Sequence, residues 1–457
     1  MVRNKYLKWS LIAVFWILLW QGLSIVVASK LLLPSPMDTV RGIFSLLGDS
    51  KFYLDATATI ARCVVAIFLS LVFGAFLSVA SYRNKLVRDI LALPVALFKA
   101  IPIMAVAIYM ILLLTAGNVP VLVCFVMCFP IVYTNLLTGL DSMDEDLLEM
   151  AKMYDIVGAK RLKFVYLPSL YPYFKSAMSL IAGMSWKAIV TAEVLSIPKF
   201  SLGYELMNSK YYLNTDLLFA YVAIIIAISV VFEKVINRSV GLLAPHSYSG
   251  SKILRASSTT DNIKTESGNS KIAVDLKSVN KKFGDKQVLK DFSMQLLAGS
   301  VTACMGASGS GKTTLIRIIA GLETADSGEV KVNAKKTSVL FQEDRLIPWL
   351  NVYDNLAIVC NDDARIISLL QSVALETEAS KLPDELSGGM KYRLAMARAF
   401  AHNGDLLLAD EPFQGLDEAT KTFVTEKLWK PGVADKTVFF ITHSQEDEIL
   451  ADTTVYM

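Results

Sequence analysis

The residues best suited to chemistry in this sequence form a glycine-rich segment, GASGSGKTT, at positions 306–314. The apolar stretch SVTACM precedes it, and a helix-like stretch, LIRIIAGL, follows. A glycine-rich loop between a strand and a helix presents successive backbone N–H groups to phosphate. Lys312 would add a positive charge near the terminal phosphates, and the Thr313 hydroxyl would ligate Mg²⁺. The whole segment is therefore predicted to bind a nucleotide: Gly306, Ala307, Ser308, Gly309, Ser310, Gly311, Lys312, Thr313 and Thr314.

A second candidate is LLLADE at positions 406–411, where an apolar stretch ends in two acids. If this stretch is a strand, Asp410 can serve as an oxygen ligand for Mg²⁺ and Glu411 as a base that activates water. Taken alone, the pattern would favour a strand that ends in solvated acids. Its interpretation therefore depends on the motifs around it.

Between these segments lies LSGGM at positions 386–390, followed by the helical stretch KYRLAMARAF. Amides at the start of that helix would form a second anion-binding site. With this motif, residues 272–457 resemble the ATPase domain of ABC transporters, a family with an α/β P-loop fold. The remaining residues that match family motifs in order are Phe283 in KKFGD, Gln342 in VLFQED, Ser387, Gly388 and Gly389 in LSGG, Asp417 in GLD, and His443 in FFITHS.

The resemblance implies a site for ATP and Mg²⁺. The residues it implies for catalysis are Lys312, Gln342, Glu411 and His443. The residues it implies for metal binding are Thr313, Gln342 and Asp410. It also implies that two ATPase domains close head to tail, so that Ser387, Gly388 and Gly389 contact the ATP held by a second copy. Asp417 is implied as a further nucleotide-binding residue, and Phe283 as a ring that stacks on adenine, although an aromatic after a strand is often a core residue.

The first half of the chain is apolar over long stretches. Hydrophobic residues make up 54% of the chain and charged residues only 19%, which is fewer charges than a soluble protein averages. About 20 apolar residues cross a membrane as a helix. Six segments qualify: 9–28, 54–81, 86–115, 119–140, 170–197 and 217–236. If there are six spans, the clusters of Lys and Arg that flank them all fall on one side of the membrane, and both termini lie on that side. Because such clusters favour the cytoplasmic side, both termini are predicted to be cytoplasmic.

These features predict a multi-domain protein of the cell inner (cytoplasmic) membrane, in contact with lipid. An all-α permease domain of six transmembrane helices would occupy 1–244, a flexible Ser-rich linker 245–270, and an α/β ABC ATPase domain 271–457. The net charge of +3, without Lys/Arg runs, argues against nucleic acid as a partner. Five scattered cysteines without a CxxC pair indicate neither a zinc site nor a disulfide framework.

The stretch 141–168, between the fourth and fifth apolar segments, resembles the coupling motif of ABC importers. The matching residues are Glu149, Ala151, Leu167 and Pro168. Met150 departs from the motif, and Asp155 stands where glycine is usual. The resemblance implies that this helix, at about 143–166, seats in a groove of the ATPase near Gln342. The alternative is a cytoplasmic helix that is merely amphipathic.

Four fragments, LLLPSP, LFKAIPIMA, FPIVYTNLLTGL and WKAIVTAEV, are similar to permeases of the nitrate/sulfonate/taurine (type I) importer family. That resemblance implies ATP-driven import of a small solute: a sulfonate, nitrate, taurine or a thiamine-precursor-like molecule. It also implies two copies of the chain and a separate extracytoplasmic substrate-binding protein. Two alternatives stay open: an ABC exporter or lipid-moving half-transporter, since fused permeases are commoner there, and a membrane-anchored ATPase that moves no solute.

Three ionisable residues fall inside the predicted spans: Lys99, Lys187 and Glu193. Such residues are costly in lipid and are therefore candidates for function. Lys99 lies between Pro94 and Pro102, whose missing amides loosen a helix, so it could attract an anionic solute. Alternatively, Lys99 extends to the membrane surface or pairs with a helix carbonyl, and Glu193 lies near the outer rim.

Overall fold

The computed structural model describes residues 2–29, 31–244 and 272–457 and, in the first helix, the side chains from Lys8 onward. The predicted linker, 245–270, lies outside these residues. The chain forms two compact units. The helical unit comprises Met1–Ser142 and Ser169–Ala244. The α/β unit comprises Met143–Pro168 and, within Pro245–Met457, the described residues from Ile272 onward.

The part of the chain before the linker is helical. Its helices are α1 Val2–Val27, α2 Pro36–Leu47, α3 Ser50–Arg83, α4 Lys85–Ala100, α5 Ile103–Leu113, α6 Val119–Asp141, α7 Glu145–Met153, α8 Gly158–Arg161, α9 Leu167–Ser196, α10 Leu202–Tyr211 and α11 Thr215–Leu242. A π-helical turn, Leu162–Tyr166, joins α8 to α9. The segment that contains α7, α8 and this turn belongs to the α/β unit, although it lies between helices of the helical unit in sequence.

Among the described residues, five helical stretches are long and apolar enough to cross a membrane. They are Lys8–Val27, Ser50–Arg83, Val119–Asp141, Gly158–Ser196 and Thr215–Leu242. The pair α4 and α5 makes a sixth if it counts as one span. The predicted all-α organisation of this part of the chain is confirmed, but the third predicted segment, 86–115, is not one straight helix.

The break in that segment follows from a proline. The axes of α4 and α5 differ by 106°. Pro102 has no N–H to continue the helix, and it restricts the preceding residue to extended conformations. Ile101 accordingly has φ −69° and ψ 128°. Pro94 lies inside α4 without ending it, and Lys99 lies in the last turn before the break.

Helices α3 and α6 pack closely because α3 presents a stripe of small residues. The buried stripe has a spacing of four and consists of Ala66, Ser70, Gly74 and Ser78. A Cβ atom on Gly74 would lie 2.6 Å from Cγ1 of Val132 on α6, so only glycine fits at this contact. Small residues at helical spacing let two apolar helices approach each other closely in a membrane.

The α/β unit alternates strands and helices. Its strands are β1 Ile272–Phe283, β2 Lys286–Leu297, β3 Val301–Met305, β4 Ser327–Val332, β5 Thr337–Leu340, β6 Leu406–Asp410, β7 Thr437–Ile441 and β8 Thr453–Tyr456. Its further helices are α12 Lys312–Ile319, α13 Val352–Ala357, α14 Asp363–Ser372, α15 Gly388–His402, α16 Glu418–Val424, α17 Lys430–Val433 and α18 Gln445–Glu448.

Two sheets form within the described residues. One is antiparallel with the order β2-β1-β4, and the other is parallel with the order β5-β6-β7-β3-β8. Strands β6 and β7 are buried along their whole length, as the apolar runs LLLAD and TVFFI require. The predicted α/β fold is confirmed. Ligands of open parallel sheets bind beyond the carboxyl ends of the strands, where β3, β6 and β7 deliver their loops.

The segment 143–168 packs into the core of the α/β unit. Eight of its buried residues join the same cluster as Val339 and Leu408 of the parallel sheet: Leu147, Met150, Ala151, Met153, Tyr154, Ile156, Phe164 and Val165. Asp155 adopts φ +53°, the left-handed conformation that glycine takes most readily. Aspartate tolerates this conformation better than most residues, so the unusual residue still permits the turn.

Candidate functional site

The glycine-rich loop runs from the end of β3 to the start of α12, as its sequence predicts. Gly309 and Gly311 have φ of +79° and +102°, which most other residues avoid. A Cβ atom on Gly311 would lie 2.8 Å from Cγ1 and 3.0 Å from the carbonyl oxygen of Val288 on β2. Glycine is therefore required where the loop turns into α12 against β2.

Two side chains of the loop fit a phosphate group. Lys312 is 5% exposed, and its Nζ donates to the carbonyl oxygens of Gly306 at 2.9 Å and Ala307 at 2.8 Å. The ammonium is therefore folded against the loop. The Oγ of Ser310 is buried and has no hydrogen-bond partner among the described residues. A buried hydroxyl of this kind is costly unless a ligand or water satisfies it.

Thr313 and Asp410 meet at the end of β6. The Asp410 carboxylate is buried, and the Thr313 hydroxyl lies close enough to stabilise its charged form. Burial raises the pKa of Asp410, and nearby Glu411 and Glu343 add to the increase, while Thr313 and Lys312 oppose it. A hydroxyl and a carboxylate beside a phosphate-binding loop are the oxygen ligands that Mg²⁺ prefers, with phosphate and water oxygens completing its shell. These two residues therefore fit the metal ion.

The structure brings Glu411 and His443 together from neighbouring strands. Glu411 follows β6, and His443 lies two residues beyond β7. The Oε1 of Glu411 lies 3.3 Å from Nε2 of His443, and the imidazole side chain is 45% exposed. A carboxylate and an accessible imidazole at this separation can share the positioning of one water molecule.

Glu411 is held in an unusual backbone conformation. Its φ is +53°, and its N–H donates to the carbonyl oxygen of Ile441 on β7 at 3.0 Å. On the other side, the hydroxyl of Tyr392 from α15 lies 2.8 Å from the carbonyl oxygen of Glu411 and 3.2 Å from that of Asp410. Sequence reasoning missed Tyr392, because no motif marks a tyrosine at that position of the helix.

The other predicted residues lie on the surface around this edge. Ser387 caps α15 and accepts a hydrogen bond from the Met390 N–H, and Gly388 and Gly389 form the first turn. Asp417 caps α16 and accepts from the N–H and hydroxyl of Thr420, which lower the pKa of Asp417.

Among the described residues, no hydrogen bond joins Gln342 or Phe283 to the glycine-rich loop. Gln342 is exposed two residues beyond β5 and forms no hydrogen bond with the residues that the structure describes. Phe283 ends β1, where it pairs with Lys286 of β2, and its side chain is 49% exposed. Within the described part of the chain, no hydrogen bond joins Ser387, Gly388 or Gly389 to the glycine-rich loop.

The segment with α7 makes a polar contact with two parts of the nucleotide-binding region. The guanidinium of Arg317, on α12, donates to both carboxylate oxygens of Glu149. Arg345, three residues beyond Gln342, donates to Glu149 Oε2 at 2.8 Å and pairs with Asp146 at 2.8 Å. Burial alone would raise the pKa of Glu149, but the hydrogen bonds and charges of the two arginines outweigh it and lower the pKa.

Tyr154 anchors the end of this segment. Its buried hydroxyl donates to the carbonyl oxygen of Val339 on β5 at 2.7 Å. The guanidinium of Arg398, on α15, lies 5.0 Å from the centre of the Tyr154 ring and donates to the carbonyl oxygens of Asp344 and Arg345 at 2.9 Å. The helix that opens with Ser387 therefore contacts both the segment after Gln342 and the segment 143–168.

His402, at the other end of α15, also packs against Tyr154. Its ring packs edge-on against Tyr154, its Nδ1 lies 3.2 Å from Ser338 Oγ, and its Nε2 lies 3.4 Å from Asp155 Oδ2. Burial lowers the pKa of His402 to about 4, with Lys336 and Lys436 adding to the decrease and Asp155 opposing it. The ring is therefore neutral at pH 7.

In the helical unit, Glu193 is fully buried and satisfied by protein groups. It accepts from the Thr59 hydroxyl at 3.0 Å, from Arg62 at 2.7 Å and from the Gly203 N–H at 3.2 Å. Arg62 also donates to the carbonyl oxygens of Phe200 and Lys199. These bonds connect α9 to α3 and to the loop before α10. Lys99 and Lys187 are both exposed, and neither forms a hydrogen bond or ion pair with the residues that the structure describes.

Two family models match the chain. The model described as "ABC transporter" matches residues 289–414, which include the glycine-rich loop, the LSGG segment and β6. The model described as "Binding-protein-dependent transport system inner membrane component" matches residues 66–247, which include the segment 143–168.

Curated relatives match about two fifths of the chain. The aliphatic sulfonates import ATP-binding protein SsuB 1 of Paracoccus denitrificans is 41% identical over 184 residues, which cover 39% of this chain and 76% of the relative. The corresponding SsuB protein of Albidiferax ferrireducens is 37% identical over 193 residues, 39% of this chain and 69% of the relative. A solved dimeric ATP-binding cassette with ADP and phosphate is 30% identical, covers 40% of this chain and 94% of that chain, and has a TM-score of 0.37.

Proposed function

Because this chain belongs to the ABC transporter family, we propose that it imports a small solute across the cell inner (cytoplasmic) membrane, driven by ATP hydrolysis. The proposed solute is a sulfonate, nitrate, taurine or a thiamine-precursor-like molecule. The observation that carries the proposal is the packing of residues 143–168, a segment between two apolar helices, into the core of the α/β unit. The relatives are named as aliphatic sulfonate import proteins, which supports the direction of transport.

The contacts of Glu149 supply a physical route from nucleotide to membrane helix. This carboxylate is held by Arg317 on the helix that follows the phosphate loop and by Arg345 after Gln342. A nucleotide-dependent shift of either segment therefore acts on α7. From α7 the chain continues through α8 into α9, which is part of an apolar stretch long enough to cross a membrane.

The residues at the sheet edge have complementary proposed roles in hydrolysis. Lys312 and the amides of residues 306–314 bind the phosphates. Thr313 and Asp410, with Gln342, would hold Mg²⁺, which neutralises phosphate charge when bound. Glu411 takes the proton of the attacking water, and His443, 3.3 Å away, keeps that water and the terminal phosphate in position. Phe283 stacks on the adenine.

The proposed complex contains two copies of this chain. Ser387, Gly388, Gly389 and Asp417 lie at exposed starts of helices, where amides can bind the nucleotide held by the other copy. A separate extracytoplasmic substrate-binding protein delivers the solute, as the description of the second family model supports. Both termini and the α/β unit are placed in the cytoplasm.

Reconstitution of the full chain in proteoliposomes tests this proposal. With the α/β unit facing outward and a sulfonate-binding protein plus its sulfonate in the lumen, we expect stimulated ATPase activity and sulfonate release to the outside. Solute movement in the opposite direction without a binding protein would identify an exporter instead. ATP hydrolysis that no solute or binding protein changes would indicate a membrane-anchored ATPase.

The same vesicles test the route through Glu149. Because Glu149→Gln removes the charge that both arginines hold, we expect it to reduce the binding-protein-stimulated rate about 10-fold while basal hydrolysis stays within about twofold. Glu145→Gln, on the exposed first turn of α7, is the matched control and should leave both rates unchanged. Equal stimulated rates in the two variants would contradict the proposed route.

A further inference from the structure

Tyr392 connects the helix that opens with Ser387 to the end of β6. It lies in the second turn of α15 and is 8% exposed. Its hydroxyl lies 2.8 Å from the carbonyl oxygen of Glu411 and 3.2 Å from that of Asp410. A phenol has one proton to donate, so the two carbonyls share it and the Glu411 carbonyl is the nearer acceptor.

The unusual backbone conformation of Glu411 requires hydrogen bonds to hold it. A left-handed conformation costs a residue other than glycine about 1–2 kcal/mol, so surrounding bonds must hold it. The N–H of Glu411 is fixed by Ile441 on β7, and its carbonyl is fixed by Tyr392. The two bonds come from different elements, and each restrains one side of the strained residue.

The side-chain position depends on this conformation. Return of Glu411 to a right-handed φ would redirect its Cα–Cβ bond and carry the carboxylate away from His443, which is now 3.3 Å distant. Burial raises the pKa of Tyr392, and the charges of Asp410 and Glu411 add to the increase. The hydroxyl therefore keeps its proton and remains a donor at physiological pH.

We propose that Tyr392 is a positioning residue for ATP hydrolysis, which fixes the backbone of Glu411 and thereby holds its carboxylate beside His443. Since Tyr392 sits on α15, it also transmits to Glu411 any shift of that helix when Ser387 contacts the nucleotide of a second copy. This inference rests on the proposed role of Glu411 as the base.

Steady-state kinetics of Tyr392→Phe in the full-length chain, in lipid nanodiscs, test the inference. The matched control is Tyr353→Phe, which removes a hydroxyl on α13 that donates to Asp363 at 2.6 Å. We expect kcat of Tyr392→Phe to fall about 10- to 100-fold, because a misplaced catalytic group loses that much rate. The KM for ATP and the melting temperature should stay close to those of the control, since the hydroxyl bonds only to the backbone carbonyls of Asp410 and Glu411 among the described residues.

Glu411→Gln, measured in parallel, separates the possible failures. If it abolishes turnover while Tyr392→Phe keeps a kcat within about twofold of the control, the inference is overturned and the proposed function stands. A fall in kcat that merely follows a lower melting temperature or a higher KM also overturns it, because the hydroxyl would then only stabilise the fold. Near-normal turnover by Glu411→Gln would refute the proposed base and the inference together.

Discussion

Buried charges are arranged differently in the two units. At the sheet edge of the α/β unit, Lys312 is folded against its own loop and Ser310 Oγ has no partner among the described residues. In the helical unit, Glu193 is enclosed by Thr59, Arg62 and Gly203. A buried charge therefore does not by itself mark a site. Buried polar atoms whose hydrogen-bonding capacity is unfilled, beside a glycine-lined loop, are the better indicator.

Asp55 on α3 shares one feature with each arrangement: it is a buried acid of the helical unit, like Glu193, and its oxygens lack a hydrogen-bond partner among the described residues, like Ser310 Oγ. It is 1% exposed. Unlike Ser310, it has no glycine-rich loop around it. It provides a matched control for experiments on Glu193, because it is a buried acid of the same unit without a paired guanidinium.

The largest expected effect is at the sheet edge. Glu411→Gln should lower kcat for ATP hydrolysis about 100- to 10,000-fold, because it removes the proposed base while keeping the shape of the side chain. ATP binding, measured with a fluorescent analogue on the full chain, should stay within about threefold. Glu418→Gln, an exposed acid in the first turn of α16, serves as the control. Turnover near that of the control would show that Glu411 is not the base.

Glu193 should affect stability instead of hydrolysis. The Arg62 side chain is only 15% exposed, and Glu193→Gln removes its counter-charge. Breaking a buried ion pair in this way typically costs about 3–5 kcal/mol. We expect a lower melting temperature of the purified full chain, with ATP affinity unchanged. Asp55→Asn should cost much less, since Asp55 has no such pair to lose. Altered solute uptake by Glu193→Gln at normal stability would instead assign Glu193 to the transport path.

The smallest expected effect concerns His402, whose buried ring contacts only protein groups. The pKa of His402 in the folded chain, about 4, lies below its ordinary value of 6.5, so the unfolded chain binds the proton more readily. Its contribution to stability is thus complete above pH 6.5 and is lost as the pH falls towards 4. Relative to His402→Gln, the wild-type chain should lose about 2 kcal/mol between pH 6.5 and 5, measured by thermal unfolding. Parallel pH profiles of the two proteins would refute this.

The sequence alone was sufficient to predict the site residues that directly follow a strand. The glycine-rich loop, the acids after β6 and the histidine after β7 each follow a strand directly, and parallel strands bring their ends to one edge. The helix break at Pro102 was not predicted, because Pro94 lacks the same N–H and yet lies inside α4 without ending it. The conformation of Asp155 could not be read from its identity, because the motif usually has glycine there and aspartate adopts the same left-handed turn.

Long-range partners could not be predicted from one sequence. Glu193 meets Thr59 and Arg62 across more than 130 positions, and Glu149 meets Arg317 and Arg345 across 168 and 196 positions. Tyr392 acts on carbonyl oxygens, which carry no residue identity in the sequence. Neither periodicity nor motif spacing reports such contacts, because they are set by how the elements pack.

The placement of residues 143–168 has a consequence for the order of synthesis. A ribosome completes this segment well before the rest of the α/β unit, since residues 169–271 separate it from β1. Apolar side chains such as Met150 and Ile156, which are buried in the mature fold, have no sheet to cover them during that interval. The nascent chain therefore exposes an apolar segment until β1 to β8 have emerged, which makes this segment prone to aggregation during synthesis.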